Sequence, residues 1–393
     1  MYRFHPSVKF DRKYPDRARV VEEITKLWTT YHLDERTAFD TKVERVWRDQ
    51  ESGKWIINEK SNGMYDGVIV AVGTCGNPKM LRIPGQETYR GEVCHSSELT
   101  GKNVTNKKIL VVGGGASAVE AIEYAVLQKA KCSKVLARTQ KWIIPRNPIV
   151  DALLAMNVFG EESSFAWIPE LLLKRFFYRD LQDLAPANVG LFTETPICND
   201  AILDQIRSGQ AQWLQGDIRH FTENGVVFNE RGLNTVKGGP GREVEIKGDM
   251  VILATGFHRP SLHFLPEEVF EPPFQPPDWY LQTFPIGLPD ICATNCTFTG
   301  AIGTVGNVHI GIYTRYLLMF IADPATRPTK AWMRGWVDTT RAIKGSLPSQ
   351  GLDFFTYSEL IWWFVFGMLL TPTRWKWILF VMFGWGRAIH SIE

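Results

Sequence analysis

The 393-residue sequence predicts an α/β fold, and three observations carry that prediction. A strand, a glycine-rich bend, a helix and a second strand follow one another over 107–139. A hairpin, an acidic residue, an apolar strand and a small-residue turn occur in that order twice, ending at 73 and at 256. The strands closing the two copies, DGVIVAVG and DMVILATG, are continuously apolar, as in strands covered on both faces of a sheet. Together these features predict two Rossmann-like dinucleotide-binding domains, the first incomplete at its N-terminus, plus a hydrophobic helical C-terminal extension. The pattern sets the boundaries at 1–102 for the partial first domain and 103–248 for the second, with a helical insert at 151–186. The chain returns to the first domain over 249–340 and ends in a Trp-rich segment over 341–393.

Taken in order, PDRARVVEEITKLWTTYHL (15–33) places Val20, Val21, Ile24 and Leu27 at helical spacing behind Pro15, which predicts an amphipathic helix. TKVERVW and KWIINE alternate around the turn QESG and read as a hairpin that leads into the strand at 66–73. In the second copy, GVVFNE (225–230) and REVEIKG (242–248) precede the strand at 249–256. Between the copies, Ile109–Val112 form a strand, Ala116–Leu127 a helix and Lys134–Ala137 a second strand.

Composition narrows the function. Apolar residues make up 45% and charged residues 22%, which is ample for a buried core. Lys and Arg number 44 against 42 Asp and Glu, so no charge excess calls for nucleic acid. Six Cys in this length do not make a disulfide framework, and Cys292 and Cys296 lack the second cluster a metal site would need. The N-terminus has no apolar run of the secretory type, which points to a cytoplasmic protein.

The bend reads G-x-G-x-x-A, as Gly113, Gly115 and Ala118. Gly113 permits a tight turn, Gly115 lets the backbone approach a pyrophosphate, and Ala118 allows close helix–strand packing. Ser117 lies in the helix N-terminus, which supplies free N–H groups and positive potential. The alternative is an empty domain whose bend serves packing alone. At the end of the second strand an acidic residue would bind a ribose hydroxyl; here stand Arg138 and Thr139, with Lys141 nearby. A guanidinium suits the 2′-phosphate of NADPH, the alternative being a solvated surface arginine.

Five segments then match one family in its own order: AVGTCGNP (71–78), IPGQETYRGEVCHSSEL (83–99), VVGGGASA (111–118), ARTQKWIIPR (137–146) and VILATGFHRP (251–260). On these residues the chain resembles the class B flavoprotein monooxygenases, the flavin-containing monooxygenase family, and its fungal type above all. The family pattern F-x-G-x-x-x-H-x-x-x-Y is met at Gly91 and His95, with Tyr89 for the Phe and Leu99 for the last aromatic. The resemblance implies that NADPH reduces FAD and that the reduced flavin activates oxygen against a small apolar substrate of secondary-metabolite type. It places His95 in the link between domains near the nicotinamide, the alternative being a hydrogen-bonded structural histidine. It also turns Gly73, Thr74, Thr255 and Gly256 toward the flavin. Gly303, Thr304 and Gly306, in the cluster TGAIGTVGNVHIGIYTRYLLMF after a strand expected near Phe298, would offer a helix N-terminus to the flavin or simply enter a core helix.

Family members open with a G-x-G-x-x-G loop for the FAD pyrophosphate, and nothing like it precedes residue 66. The strand leading into that loop is central in such a sheet, so its loss should leave two neighbours with unpaired backbone. Three readings follow: a truncated product, a flavin-free relative such as a non-redox cyclase, or flavin held by the remaining contacts. At the C-terminus, LIWWFVFGMLL and ILFVMFGW are each too short to span a bilayer. With Trp362, Trp363, Trp375, Trp377, Trp385, Arg374 and Lys376, residues 360–385 read as a hydrophobic hairpin suited to peripheral membrane contact, or as a cover for a cavity or interface.

Overall fold

The computed structural model describes residues 17–147, 149–150, 167–187, 189–193, 196–232, 235–297, 303–346 and 359–386. In chain order the first half comprises α1 (Arg17–Thr30), β1 (Val46–Arg48), β2 (Trp55–Ile57), β3 (Val68–Val70), β4 (Glu92–His95), β5 (Lys108–Val112), α2 (Ala116–Leu127), β6 (Cys132–Ala137) and β7 (Ile143–Ile144). Then come α3 (Trp167–Leu172), β8 (Ile197–Cys198), α4 (Ile202–Arg207), β9 (Ala211–Thr222), β10 (Gly225–Glu230), β11 (Arg242–Lys247), β12 (Met250–Leu253) and β13 (Ile291–Ala293). The chain ends in α5 (Gly303–Ala322), α6 (Lys330–Ser346) and α7 (Ile378–Phe383).

A seven-stranded sheet in the order β11-β10-β9-β6-β5-β12-β4 organises the centre. Its five strands from β9 to β4 run parallel, and β10 and β11 add an antiparallel edge. The reason lies in the side chains. Met250, Val251, Ile252 and Leu253 of β12 are all fully buried, so both faces of that strand are covered. On one face α2 lays Ala118, Val119, Ala121, Ile122 and Ala125 against the sheet, and the alanines let helix and strand approach closely. Burying Ile122 alone is worth roughly 1.5–3 kcal/mol. On the other face Leu110, Val112, Leu136, Phe228 and Val251 form a second layer.

The repeat is visible in space. β1 pairs antiparallel with β2 and leads to β3, as β10 pairs with β11 and leads to β12. The sheet takes in strands from before and after the expected limits 103–248, because β12 pairs with β5 and β4 with β12. Asp249, just ahead of β12, accepts from the backbone N–H of Lys108 at 2.7 Å and so ties the two strands at their start.

Three expectations are corrected. The strand at 66–73 is not buried on both faces: Val68 and Val70 point inward, but Ile69 is 48% exposed. Among the described residues β3 pairs with β13 alone, in a parallel two-stranded sheet, so only one of its faces is packed. Of the helix expected over 15–33, Arg17–Thr30 is helical, yet Val21 and Ile24 are 52% and 47% exposed. Its buried residue is Glu23, held by Arg19 and Lys26, so ion pairing rather than an apolar stripe seats that face. The strand expected near Phe298 ends at Ala293, and 298–302 lie outside the described residues, as do 151–166 of the expected insert.

The C-terminal segment is also corrected in part. Trp363 and Arg374, expected at an interface, are buried in a second core with Tyr280, Phe284, Tyr316 and Phe320. The Nε of Arg374 donates to the Thr326 carbonyl at 2.9 Å, and a second nitrogen donates to Gly367. Buried Glu359 accepts from Gln282 Nε2 and from Trp336 Nε1, each at 3.0 Å. These polar ties join the end of the chain to the turns after β12. No described helix is long and apolar enough to cross a membrane.

Candidate functional site

The bend after β5 is shaped by two backbones. Gly113 has φ +129°, and a Cβ there would stand 2.3 Å from the Ala254 carbonyl oxygen at the end of β12. Only glycine meets both demands. A Cβ on Gly114 would stand 2.9 Å from the Cβ of Ala137 at the end of β6. Gly115 differs, since a Cβ there would meet nothing within 4 Å. That open side is where a ligand's phosphates can approach.

Gly115 is the N-cap of α2 and offers no side-chain cap. The N–H of Gly113 is taken by Leu136, and those of Ala118 and Val119 by Gly115. The amides of Gly114, Gly115, Ala116 and Ser117 meet no acceptor among the described residues. No acidic side chain stands in the first turn to offset the helix dipole. Four free donors at a positive helix end have the chemistry to take an anion.

β6 ends beside this bend, so Arg138 and Thr139 emerge next to Gly114 and are exposed. No carboxylate among the described residues pairs with the Arg138 side chain. Its backbone carbonyl accepts from Arg231 at 2.6 Å. Arg231, at the end of β10, has a fully buried side chain that also donates from Nε to Asp217 at 2.8 Å. The sequence concealed Arg231, because an arginine after a strand reads as solvated surface; the Asn-Glu-Arg run with Asp217 opposite was its only signal.

The two small-residue turns meet. Gly73 and Gly256 have φ +76° and +78°, and neither would crowd a Cβ. The N–H of Gly76 donates to His258 and that of His258 to Asn77, both at 2.8 Å. The N–H of Lys79 donates to Gly256 at 2.9 Å, and the Thr255 hydroxyl donates to Lys79. A Cβ at Gly76 would stand 2.8 Å from the His258 carbonyl, which fixes that close approach. Thr74 lies on the same turn, half-buried beside Cys75.

His95 completes the junction. Its ring is fully buried, edge-on to Phe257 at 4.9 Å. The backbone N–H of Ser97 donates to Nδ1 at 3.2 Å, so Nε2 carries the proton and donates to the Gly256 carbonyl at 3.0 Å. Both nitrogens are engaged by protein, and the ring ties the second turn in place. Gly303, Thr304 and Gly306 begin α5, the backbone of which is helical from Gly303; the loop leading into it lies outside the described residues.

The family profile described as pyridine nucleotide-disulphide oxidoreductase matches residues 2–148. An indole-3-pyruvate monooxygenase of Oryza sativa subsp. japonica is 28% identical over 241 residues, covering 57% of this chain and 53% of the relative. A Baeyer-Villiger monooxygenase of Streptomyces coelicolor is 23% identical over 277 residues, covering 65% and 53%. The chain thus spans about half the length of these curated relatives. A solved steroid monooxygenase bound to NADP superposes with a TM-score of 0.64 at 16% identity, covering 93% of this chain and 87% of that one, which shows a shared fold. In the order of its motifs and in these relatives, the chain is similar to the class B flavoprotein monooxygenases.

Proposed function

We propose that the chain is an NADPH-dependent, FAD-linked monooxygenase acting on a small apolar substrate. One observation carries the nucleotide half of this reading: four unpartnered amides at the start of α2 stand beside an exposed Arg138 that has no described carboxylate partner. The free N–H groups of Gly114 to Ser117 would hold the pyrophosphate, and Arg138 with Thr139 the 2′-phosphate. Bound FAD would supply the oxygen-activating chemistry and NADPH the reducing equivalents. The protein's own part is placement. The stapled turns at 73–79 and 254–258 fix the junction of the two halves, with open backbone at Gly73 and Gly256 available to a flat ring, and His95 holds the Gly256 carbonyl turned inward.

Beside β3 stands β13, and α5 follows it in the chain. A second reading is a flavin-free relative that binds a dinucleotide or metabolite. Purification decides between them: a yellow protein with about one flavin per chain supports the oxygenase. A colourless folded protein that still binds NADPH overturns it in favour of the second reading.

The chain would also meet a membrane surface peripherally through 360–385. Ile361, Phe366, Leu370, Leu379, Phe383 and Trp385 are exposed there. Of the charged residues described between 359 and 386, Glu359 and Arg374 are buried and Lys376 alone faces solvent, paired with Asp323 at 2.7 Å. An apolar face of that extent with a lone charge suits lipid headgroups and acyl chains.

A further inference from the structure

The central sheet curls so that β10 and β11 lie over β5 and β6. Val226, Phe228 and Ile246 pack against Leu110, Leu136 and Val251, which belong to strands they do not pair with. β9 makes the passage, pairing with β6 over 211–215 and with β10 over 216–222. A Cβ at Gly216 would stand 2.2 Å from the Asn229 carbonyl oxygen, so that close approach needs glycine. At the starts of β5 and β6 the two layers part and leave a crevice of 430 Å³. Cys132, Leu214, Val244 and Ile246 give it an apolar floor, and Lys108, Lys134 and Lys247 bring charge to it. Lys108 falls on the face of Leu110 and Val112, and Lys134 on that of Leu136, as strand alternation requires. The crevice carries four cations against two carboxylates, and both carboxylates are engaged. Glu230 pairs with Arg242 at 3.0 Å, and Glu245 accepts from the Thr222 hydroxyl at 2.8 Å. Lys108 and Lys134 are half-buried, stand on adjacent strands two places apart in register, and pair with no carboxylate among the described residues.

We propose that this crevice binds an apolar monocarboxylate, with the carboxylate between Lys108 and Lys134 and the hydrocarbon over Leu214, Val244 and Ile246. Two like charges beside an apolar floor call for a ligand with both parts. A neutral hydrocarbon would leave the lysines facing each other, and a bare inorganic anion would leave the floor in water. The volume lies at the small end for ligand sites, which fits one medium-length chain rather than a two-chain lipid. Roughly 16 Å of strand separate Lys108 from Gly113, so the crevice is a site apart from the glycine bend.

Alkylation of Cys132 in the full chain tests this without any substitution. Cys132 is free and half-buried on the crevice floor, whereas Cys75 is free and exposed outside it. The chain is labelled with iodoacetamide in the presence of decanoate, decanol or inorganic phosphate, and the rate at each cysteine is read by peptide mapping. Decanoate at about ten times its Kd is expected to slow labelling of Cys132 about tenfold and to leave Cys75 within about twofold. Decanol at the same concentration should protect far less, and phosphate not at all. Lys108→Met combined with Lys134→Met keeps the stems and removes the charges, and should weaken decanoate about tenfold. Equal protection by decanoate and decanol, protection by phosphate alone, or equal slowing at Cys75 would overturn the proposal. So would decanoate protection that the double variant leaves intact. Should that variant fail to fold, the three probes on the parent chain decide alone.

Discussion

The Nε2 of His95 donates to the Gly256 carbonyl at 3.0 Å, across 161 residues of chain. That carbonyl also receives the N–H of Lys79, so one oxygen gathers the end of β4, the turn after β12 and the turn after β3. His95→Ala removes a buried ring and leaves donors at Ser97 without their acceptor. The expected cost is about 2–4 kcal/mol, read as a lowered urea midpoint. Binding of 2′,5′-ADP to the folded variant should be nearly unchanged, because the anion site is built by β5, α2 and β6. Equal loss of probe binding would place His95 in the nucleotide site instead.

Two glycines of one bend are expected to fail differently. Gly113→Ala puts a Cβ 2.3 Å from a backbone oxygen at φ +129°, so it should destabilise the fold by roughly 3 kcal/mol or more. Gly115 has φ −106° and free space around its missing Cβ, so Gly115→Ala should leave the melting temperature within a few degrees while weakening NADPH at least about tenfold. Thermal melts and NADPH titrations on the pair separate the two effects. A Gly115 variant that melts early and binds normally would contradict the assignment of its open side to the ligand.

The same contrast explains what was legible in the sequence. The bend, β5, α2, β6 and the second hairpin followed from local pattern, because glycine spacing, a continuous apolar run, helical spacing and strand alternation are each written within the segment itself. β3 and α1 were misjudged on burial, since Ile69 and Val21 read as apolar in any context and only long-range packing decides whether anything covers them. Arg231 was invisible for the opposite reason. A charged pair at a strand end carries no periodic signal, and its meaning comes from a carbonyl 93 residues away. The role of His95 was readable only as two alternatives.

Arg374 predicts a strong effect from a residue that resembles surface. It is buried among Phe320 and Trp363 and is held by backbone carbonyls, and burial pulls its guanidinium below the ordinary arginine value. Arg374→Ala strands those carbonyls and opens a cavity in the second core, at an expected cost of about 3 kcal/mol. Lys376→Ala breaks only an exposed pair with Asp323 and should cost less than about 1 kcal/mol. Denaturant melts of both variants check the difference, and similar midpoints would show that the C-terminal segment is not part of the core.

The outer face of that segment makes a separate prediction. Leu370→Glu combined with Phe383→Glu changes two exposed side chains, so stability should move by less than about 1 kcal/mol. If the face meets lipid, the parent chain should float with phosphatidylcholine–phosphatidylserine vesicles and the double variant should not. Flotation of both, or of neither, would remove the membrane from the account.

Alkaline pH supplies the last test, through groups that the fold keeps neutral. Burial pushes the Cys296 thiol up to about 12 from an ordinary value of 9.0, and the Tyr89 phenol up to about 12 from 10.0. Tyr89 is tied by its hydroxyl to the Gly248 carbonyl at 2.9 Å, just ahead of β12. Both groups hold their protons more tightly when folded than when unfolded. Their contribution is therefore complete below the unfolded values and fades as pH rises toward the folded ones. Urea midpoints should be level from about pH 7 to 8.5 and fall steadily between about pH 9 and 12. Tyr89→Phe removes the phenol and should make the fall shallower, at the loss of one hydrogen bond worth about 1 kcal/mol at neutral pH. A parent midpoint that holds level to pH 11 would mean that these side chains meet water, and that the packing of Tyr89 against Phe221 and of Cys296 against β3 is looser than described.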